Sequence, residues 1–413
     1  MKKTCLGEIA DIITGPFGSM LHKSDYVLNG NPIIMPVNIG DRTLEYDGIA
    51  RISEADSLRL SKYKVQRNDI VYARRGDVEK HAFIEEKDNK ALFCGTGCLR
   101  VRVDDRMANP LFVSFYLNRP ETRKWISGHA VGSNMPNINT DILSRVPIEL
   151  PEREVQDSIA GILQDIDLKI RNNKKINDNL EHQLTTIFDF YVTPSENMTE
   201  KVRWNEAMQS NFPVNWNIFD INDICDVVDC LHSKKPDYCY DSEELYLLGL
   251  DNITPEGYII SEPKYYISEE DFKKWSAKIL LKENDFVITN AGRAGDIGKV
   301  PPNMECAIGR NITAIHPHSI NPYYLRQFFK SRYFKIQVCK NLDSGSFFSS
   351  FNVKSIKHLQ IPVPDEYTLL KVCKLCTPII KSIENNIDES SKLIKIRDWL
   401  LPILMNGQAT IDD

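Results

Sequence analysis

The chain has 413 residues, 42% hydrophobic and 26% charged, with 51 Lys and Arg against 57 Asp and Glu for a formal net charge of −6. That length exceeds one ordinary core and suits two domains of roughly 150 residues with connecting elements. No run of about 18 apolar residues exists to span a membrane, and MKKTCLGEIADII meets Glu8 and Asp11 before a signal-type apolar region can form, so a cytoplasmic chain is expected. Ten scattered cysteines show no disulfide framework. The close pairs Cys94/Cys98 and Cys373/Cys376 lack a partner pair at zinc spacing, so packing thiols and no metal are expected.

Taken in chain order, the first half is restated by the second. LGEIADII at Leu6–Ile13 returns as INDICDVV at Ile221–Val228, apolar on apolar and acid on acid. ISEAD at Ile52–Asp56 returns as ISEED at Ile267–Asp271, each with a serine placed to cap a helix. NDIV at Asn68 returns as NDFV at Asn284, and GDVEK at Gly76 is aligned with GDIGK at Gly295 through a small insertion. NPLFVSFYL from Asn109 returns as NPYYLRQFF from Asn321, with Asn as N-cap and Pro in the first turn of an aromatic-rich helix. RVPIELP ending at Pro151 matches LQIPVP ending at Pro364, each a Pro-bounded strand. The constant order predicts a tandem duplication of strand-rich mixed domains.

After each such strand the turn residues stop and a long helix begins. In the first, Ile159, Leu163, Ile166, Ile170, Asn173, Asn177, Leu180, Leu184, Ile187 and Tyr191 step by four and three; in the second, Val372, Cys376, Ile379, Ile383, Asn386, Ser390 and Leu393 do the same. That spacing predicts two helices pairing as a coiled coil, about 60 Å long at ~1.5 Å per residue, with a polar middle that fixes register. The resulting division is a first domain over 1–150, a helix over 151–192, a linker over 193–210, a second domain over 211–364 and a second helix over 365–413.

No catalytic constellation appears. The Asn/Asp-Pro-Pro-Tyr/Phe motif of amino-group DNA methylation is absent, the sole Pro-Pro being Pro301-Pro302. GRAGDIGKV from Gly292 fails as a phosphate loop because Val300 stands where Ser or Thr would bind Mg²⁺. Asp237, Glu262 and Lys264 are spaced too loosely to define a nuclease, and the eight histidines are dispersed. Polar and basic loops remain, at matching places: Arg74, Arg75 and Lys80 in YARRGDVEKH; Asn290, Arg293 and Lys299 in TNAGRAGDIGK; Arg310 after Gly309; Ser133 and Asn134 in GSNMPN; and Ser346 in GSFFSS. Arginine can read guanine and asparagine adenine, while lysine neutralises phosphate; each of these residues also suits an ordinary solvated turn.

This layout resembles the specificity subunit of type I restriction-modification enzymes over essentially the whole chain. TGPFGSML from Thr14, NFPVNW from Asn211, NDIVYARRGD, NDFVITNAGRAGD and the two Pro-rich approaches to the helices carry the likeness through their repeated order. The first copy lacks the Pro-x-x-Trp approach, which leaves its first strand open. The resemblance implies an α+β fold, a tandem duplication of two mixed α/β target recognition domains separated by two long helices in an antiparallel coiled coil. It implies a non-catalytic chain whose domains each read one half of a gapped site in double-stranded DNA, while the helices set the gap. It further implies two copies of a modification subunit, which bind S-adenosylmethionine and methylate adenine, and restriction subunits as additional partners, with no cofactor on this chain. A self-contained DNA-modifying or cleaving enzyme and a coiled-coil scaffold are the alternatives.

Overall fold

Ser53 and Ser268 are helix starts. Each hydroxyl accepts the amide of the aspartate three residues on, Asp56 at 3.1 Å and Asp271 at 3.2 Å, relieving one unpaired N–H at the beginning of Glu54–Arg59 and Glu269–Trp275. Asn109 Oδ1 accepts from Leu111 at 2.8 Å and Phe112 at 3.1 Å, and Asn321 Oδ1 from Tyr323 at 2.9 Å and Tyr324 at 3.4 Å. The aromatic helices they cap, Pro110–Leu117 and Pro322–Lys330, supply the buried Phe112 and Phe115, and Tyr324 and Phe328.

The computed structural model describes residues 1–85, 88, 91–132, 135–193, 201–240, 244–344 and 349–407, so Ser133, Asn134 and Ser346 lie outside the described residues. The chain divides into two units: Met1–Arg171 with the segment from Lys392 onward, and Asn172–Ser391. In the first, a four-stranded antiparallel sheet runs Ala10–Thr14, Cys98–Val103, Ile70–Ala73, His81–Phe83. In the second, the same order reads Cys225–Asp229, Ile312–Pro317, Phe286–Thr289, Ile297–Lys299. Each unit adds a smaller mixed sheet in which Ile33 lies parallel to Phe93, or Leu247 to Ala307. The first strand that the sequence leaves open is present: Lys2–Cys5 pairs with Pro147–Leu150, as Asn217–Asp220 pairs with Gln360–Val363.

The span 193–210 is more than a linker, because Val202–Asn205 pairs with Ser210–Pro213. Asn205 accepts the Met208 amide at 2.8 Å and Gln209 takes φ 50°, closing a hairpin turn, while Met208 and Phe212 are buried in the second core.

The long helices span Arg153–Val192 and Glu366–Met405, 40 residues each. In the first unit, Ile159, Ala160 and Leu163 share a core with Leu401, Leu404, Met405 and the aromatic helix. In the second, Leu184, Phe188 and Val192 share one with Val372, Cys376, Ile380 and Ile383. The helices run antiparallel in both units: Asp167 meets Arg397 at 3.1 Å in the first, and Asn177 meets Asn386 at 2.8 Å in the second. Asn173 and Asn177 are buried in the seam as its spacing demands, and Asn173 Nδ2 reaches Glu389 at 2.8 Å and Ser390 at 3.2 Å. The seam differs in one respect. Ile166, Ile170, Leu180, Ile187, Tyr191, Ile379 and Leu393 are half-buried, and Phe188, Val192 and Ile380, one position beyond three of them, lie deeper. Each helix also packs on a globular domain, so its apolar stripe is wider than a two-position seam.

Candidate nucleic-acid interface

Three loops meet in the first unit, at the end of its larger sheet. The Arg74 amide donates to the Gly97 carbonyl at 2.7 Å, Ile138 N donates to the Arg74 carbonyl at 3.0 Å, and Gly76 N to the Pro136 carbonyl at 3.2 Å. Residues 74–76, 97 and 136–138 are thereby tied edge to edge. The second unit repeats the arrangement: Asn290 N donates to Asn311 O at 2.8 Å, and Phe351 N to Asn290 O at 2.8 Å. Arg75 forms an isolated bridge with Asn137, and Ala291 one with Ser350.

These contacts correct the alignment of the two loops. Gly76 (φ 82°) stands where Gly292 (φ 81°) stands, and Gly97 (φ 85°) where Asn311 (φ 61°) stands. The offset of 216 therefore continues through the loop without an insertion, and Gly295 is not the partner of Gly76. Arg74 corresponds to Asn290, Arg75 to Ala291 and Thr96 to Arg310. Lys299 corresponds to Phe83, since the two occupy the same ladder position opposite Phe286 and Ile70.

The sequence candidates accordingly separate. Lys299 is corrected as a phosphate contact: its side chain is 4% exposed and its Nζ lies 2.7 Å from Glu384 Oε1 on the second long helix, so the charge is spent inside the unit. Asn290 holds the loop together, its amide donating to the Phe351 carbonyl at 3.0 Å and its oxygen accepting from Thr313 Oγ1 at 3.0 Å. Both its nitrogen and its oxygen are thus engaged in holding the loop. Arg293 donates to the Leu250 carbonyl at 3.0 Å and to that of Ile253, and its Nε lies 3.3 Å from Asp296. It braces the loop with part of its guanidinium exposed. Lys80 pairs with Asp77 at 2.9 Å on the surface, a contact that solvent and phosphate can displace. Arg74 is half-buried, its Nε without an acceptor among the described residues. Arg75 and Arg310 are exposed, and neither side chain makes a hydrogen bond or ion pair among the described residues. These two are the cations best placed to leave the protein surface.

One group escaped the sequence reading. Beyond the buried Cys230, beside the Asn311 and Ile312 amides, Tyr238 packs edge-on against Tyr265 at 5.5 Å and Tyr266 at 6.1 Å, with Tyr240 87% exposed. Lys235 Nζ sits 3.4 Å from the Tyr265 ring centroid. Aromatic faces interleaved with lysine suit base stacking and phosphate neutralisation, and KKPDYCY with KYY was the signal for it. Next to it, Asp229, Cys230 and His232 bring three metal-type donor atoms within 4.8 Å of one another among the described residues. Burial pushes the Cys230 thiol up, and His232 Nε2 is 2.8 Å from Asp229 Oδ2.

Both units thus present the same loop cradle with different side chains, on domains joined by paired helices, which is the build of a recognition subunit. A family model for the type I restriction modification DNA specificity domain matches residues 1–182 and again 213–390, and the chain belongs to that family. It is 22% identical over 429 residues to the putative type I restriction enzyme MjaX specificity subunit of Methanocaldococcus jannaschii, covering 99% of this chain and 96% of that one. It is also 22% identical over 303 residues to the MjaIX specificity subunit of the same organism, covering 72% and 69%. The solved type I restriction-modification S subunit from M. genitalium shares the fold, with a TM-score of 0.57 at 16% identity over 100% of this chain and 96% of that one.

Proposed function

We propose that each unit reads one half of a split, asymmetric DNA sequence through its three-loop cradle, with Arg75 and Arg310 as base- or phosphate-contacting cations. The chain is a non-catalytic DNA sequence-recognition subunit of a type I restriction-modification complex. The observation that carries the reading is a conserved backbone with exchanged chemistry: matching turns at Gly76 and Gly292 present Arg75 in one unit and Ala291 in the other, and Thr96 faces Arg310 in the same comparison. Identical cradles with different side chains suit two different half-sites. The paired helices set the unread gap, two copies of a modification subunit dock on the two similar halves, and S-adenosylmethionine belongs on that partner. Restriction subunits complete the cleaving form, and the cytoplasm, where the DNA is, is the site of action.

The test is base preference in the assembled methyltransferase. Arg310→Ala should relax stringency in one half of the recognised sequence and Arg75→Ala in the other. Loss of stringency in both halves from either variant, or in neither from both, contradicts the assignment.

A further inference from the structure

The two long helices have equal length and start two residues after Pro151 and Pro364, so each residue of the first corresponds to the residue 213 further on in the second. The seam respects this, since Asn173 corresponds to Asn386 and Asn177 to Ser390. At one position on the flank, half-buried in both helices, the charge is reversed: Arg171 corresponds to Glu384. Each is paired with the globular domain of its own unit. Arg171 is bonded to Glu85, with side chains 25% and 22% exposed, and Glu384 to Lys299, with side chains 15% and 4% exposed. The domain partners lie close together in place but not at the same position. Lys299 matches Phe83 at the end of its strand, and Glu85 lies two residues past that end.

One docking contact is therefore made twice with its sign reversed. Exchanged, Glu85 would face Glu384 and Lys299 would face Arg171, like charges at sites too enclosed for water to screen them fully. A second contact accompanies each. The turn carrying Arg42 reaches Asp167 on the first helix, where Arg42 also donates to Ser114 Oγ at 3.1 Å and lies 3.4 Å from the Phe115 ring centroid. The corresponding turn at Tyr258 also reaches the first helix, not the second, at Glu181, which Arg326 holds as well. Two charged contacts per domain leave little rotational freedom on the helix surface.

We propose that the oppositely signed pairs Arg171–Glu85 and Glu384–Lys299 key each recognition domain to the helix surface of its own unit and hold it there at a single setting. Residues 171 and 384 are then positioning residues, setting how the reading loops are presented without touching DNA. The proposal rests on the split-site reading above.

Arg171→Glu and Glu384→Arg each recreate the exchanged contact in place, and both are made in the full chain assembled with its modification subunits. Methylation is read by sequencing on a DNA library in which the gap between half-sites varies by one or two base pairs. The wild-type complex should favour one gap length, and R171E should lose about tenfold of that preference while base preferences inside each half-site stay unchanged. The reversed pair R171E/E85R should restore it. Wild-type gap preference in R171E, or a double variant as relaxed as the single, overturns the proposal. Should R171E fail to assemble, Arg171→Gln removes the charge without repulsion, and an unchanged gap preference in R171Q overturns it equally. A wild-type complex that methylates no split sequence sinks the functional reading itself, before any variant is compared.

Discussion

Replacing Asn177 by leucine should destabilise the protein even though it adds an apolar residue to a helix seam. Asn177 is 9% exposed and its Oδ1 accepts the Asn386 side-chain amide at 2.8 Å. With leucine in its place the half-buried amide loses this acceptor, and an unpaired donor costs up to ~1–3 kcal/mol, more the more enclosed it is. For a unit of about 200 residues this lowers the unfolding midpoint by roughly 2–12 °C. Changing both residues to leucine removes the orphan and lets the two apolar side chains pack on each other instead of one against a polar amide, so N177L/N386L should melt at or above the wild-type midpoint. The loss appears elsewhere: an apolar seam no longer specifies one partner and register, and light scattering should detect self-association of the double variant. A thermal melt of the four proteins completes the cycle. Stabilisation by N177L alone, or equal destabilisation by the single and double variants, refutes the reasoning.

Lys299→Met should lower stability by about 3–5 kcal/mol, the range for breaking a buried pair; K299M/E384L should recover most of the loss, as thermal melts of the set would show. Arg310→Ala should leave the melting temperature unchanged and reduce the slope of log affinity against log salt by about 1 if the side chain contacts phosphate. Glu181 carries a pH signature. Burial pushes its carboxyl up, but Arg326, Lys330 and the Tyr258 hydroxyl more than offset this and hold it below its usual 4.5. A depressed folded-state value contributes stability that is present above pH 4.5 and is lost as pH falls through the folded value. Glu181→Gln should therefore flatten the acid limb of the stability curve below about pH 4.5, and an unchanged limb in urea titrations at pH 3–6 would count against the pairing. Ser268→Ala should cost about 1 kcal/mol as a lost helix cap, measured by the same titrations at neutral pH.

The parts of this fold that could be read from the chain are those made by neighbours in sequence. Ser53 and Ser268, and Asn109 and Asn321, each act within a turn of where they stand, and the seam asparagines, whose partners are distant, show in the four-and-three spacing of their own helix. What required coordinates was made by distant residues. The Lys299–Glu384 and Arg171–Glu85 pairs join positions 85 and 86 residues apart, and no local pattern distinguishes a lysine that turns inward at a strand end from one in a solvated loop. The Gly-Asp dipeptides at Gly76 and Gly295 suggested an insertion because identity of two letters outweighed backbone geometry; the ladder that sets Lys299 opposite Phe286 as Phe83 lies opposite Ile70 shows that Gly292 is the partner of Gly76. Asn290 has the chemistry to read a base, but the Phe351 carbonyl and Thr313 hydroxyl reach it first. The loops were legible as candidates, and their free cations were not.

The most direct test of the account is a map of methylated adenines across the genome with this gene present and deleted. The account predicts that one split, asymmetric motif with an unread gap of fixed length loses its methylation on deletion. A methylation pattern indifferent to the gene, or one that changes at a continuous motif without a gap, would contradict it.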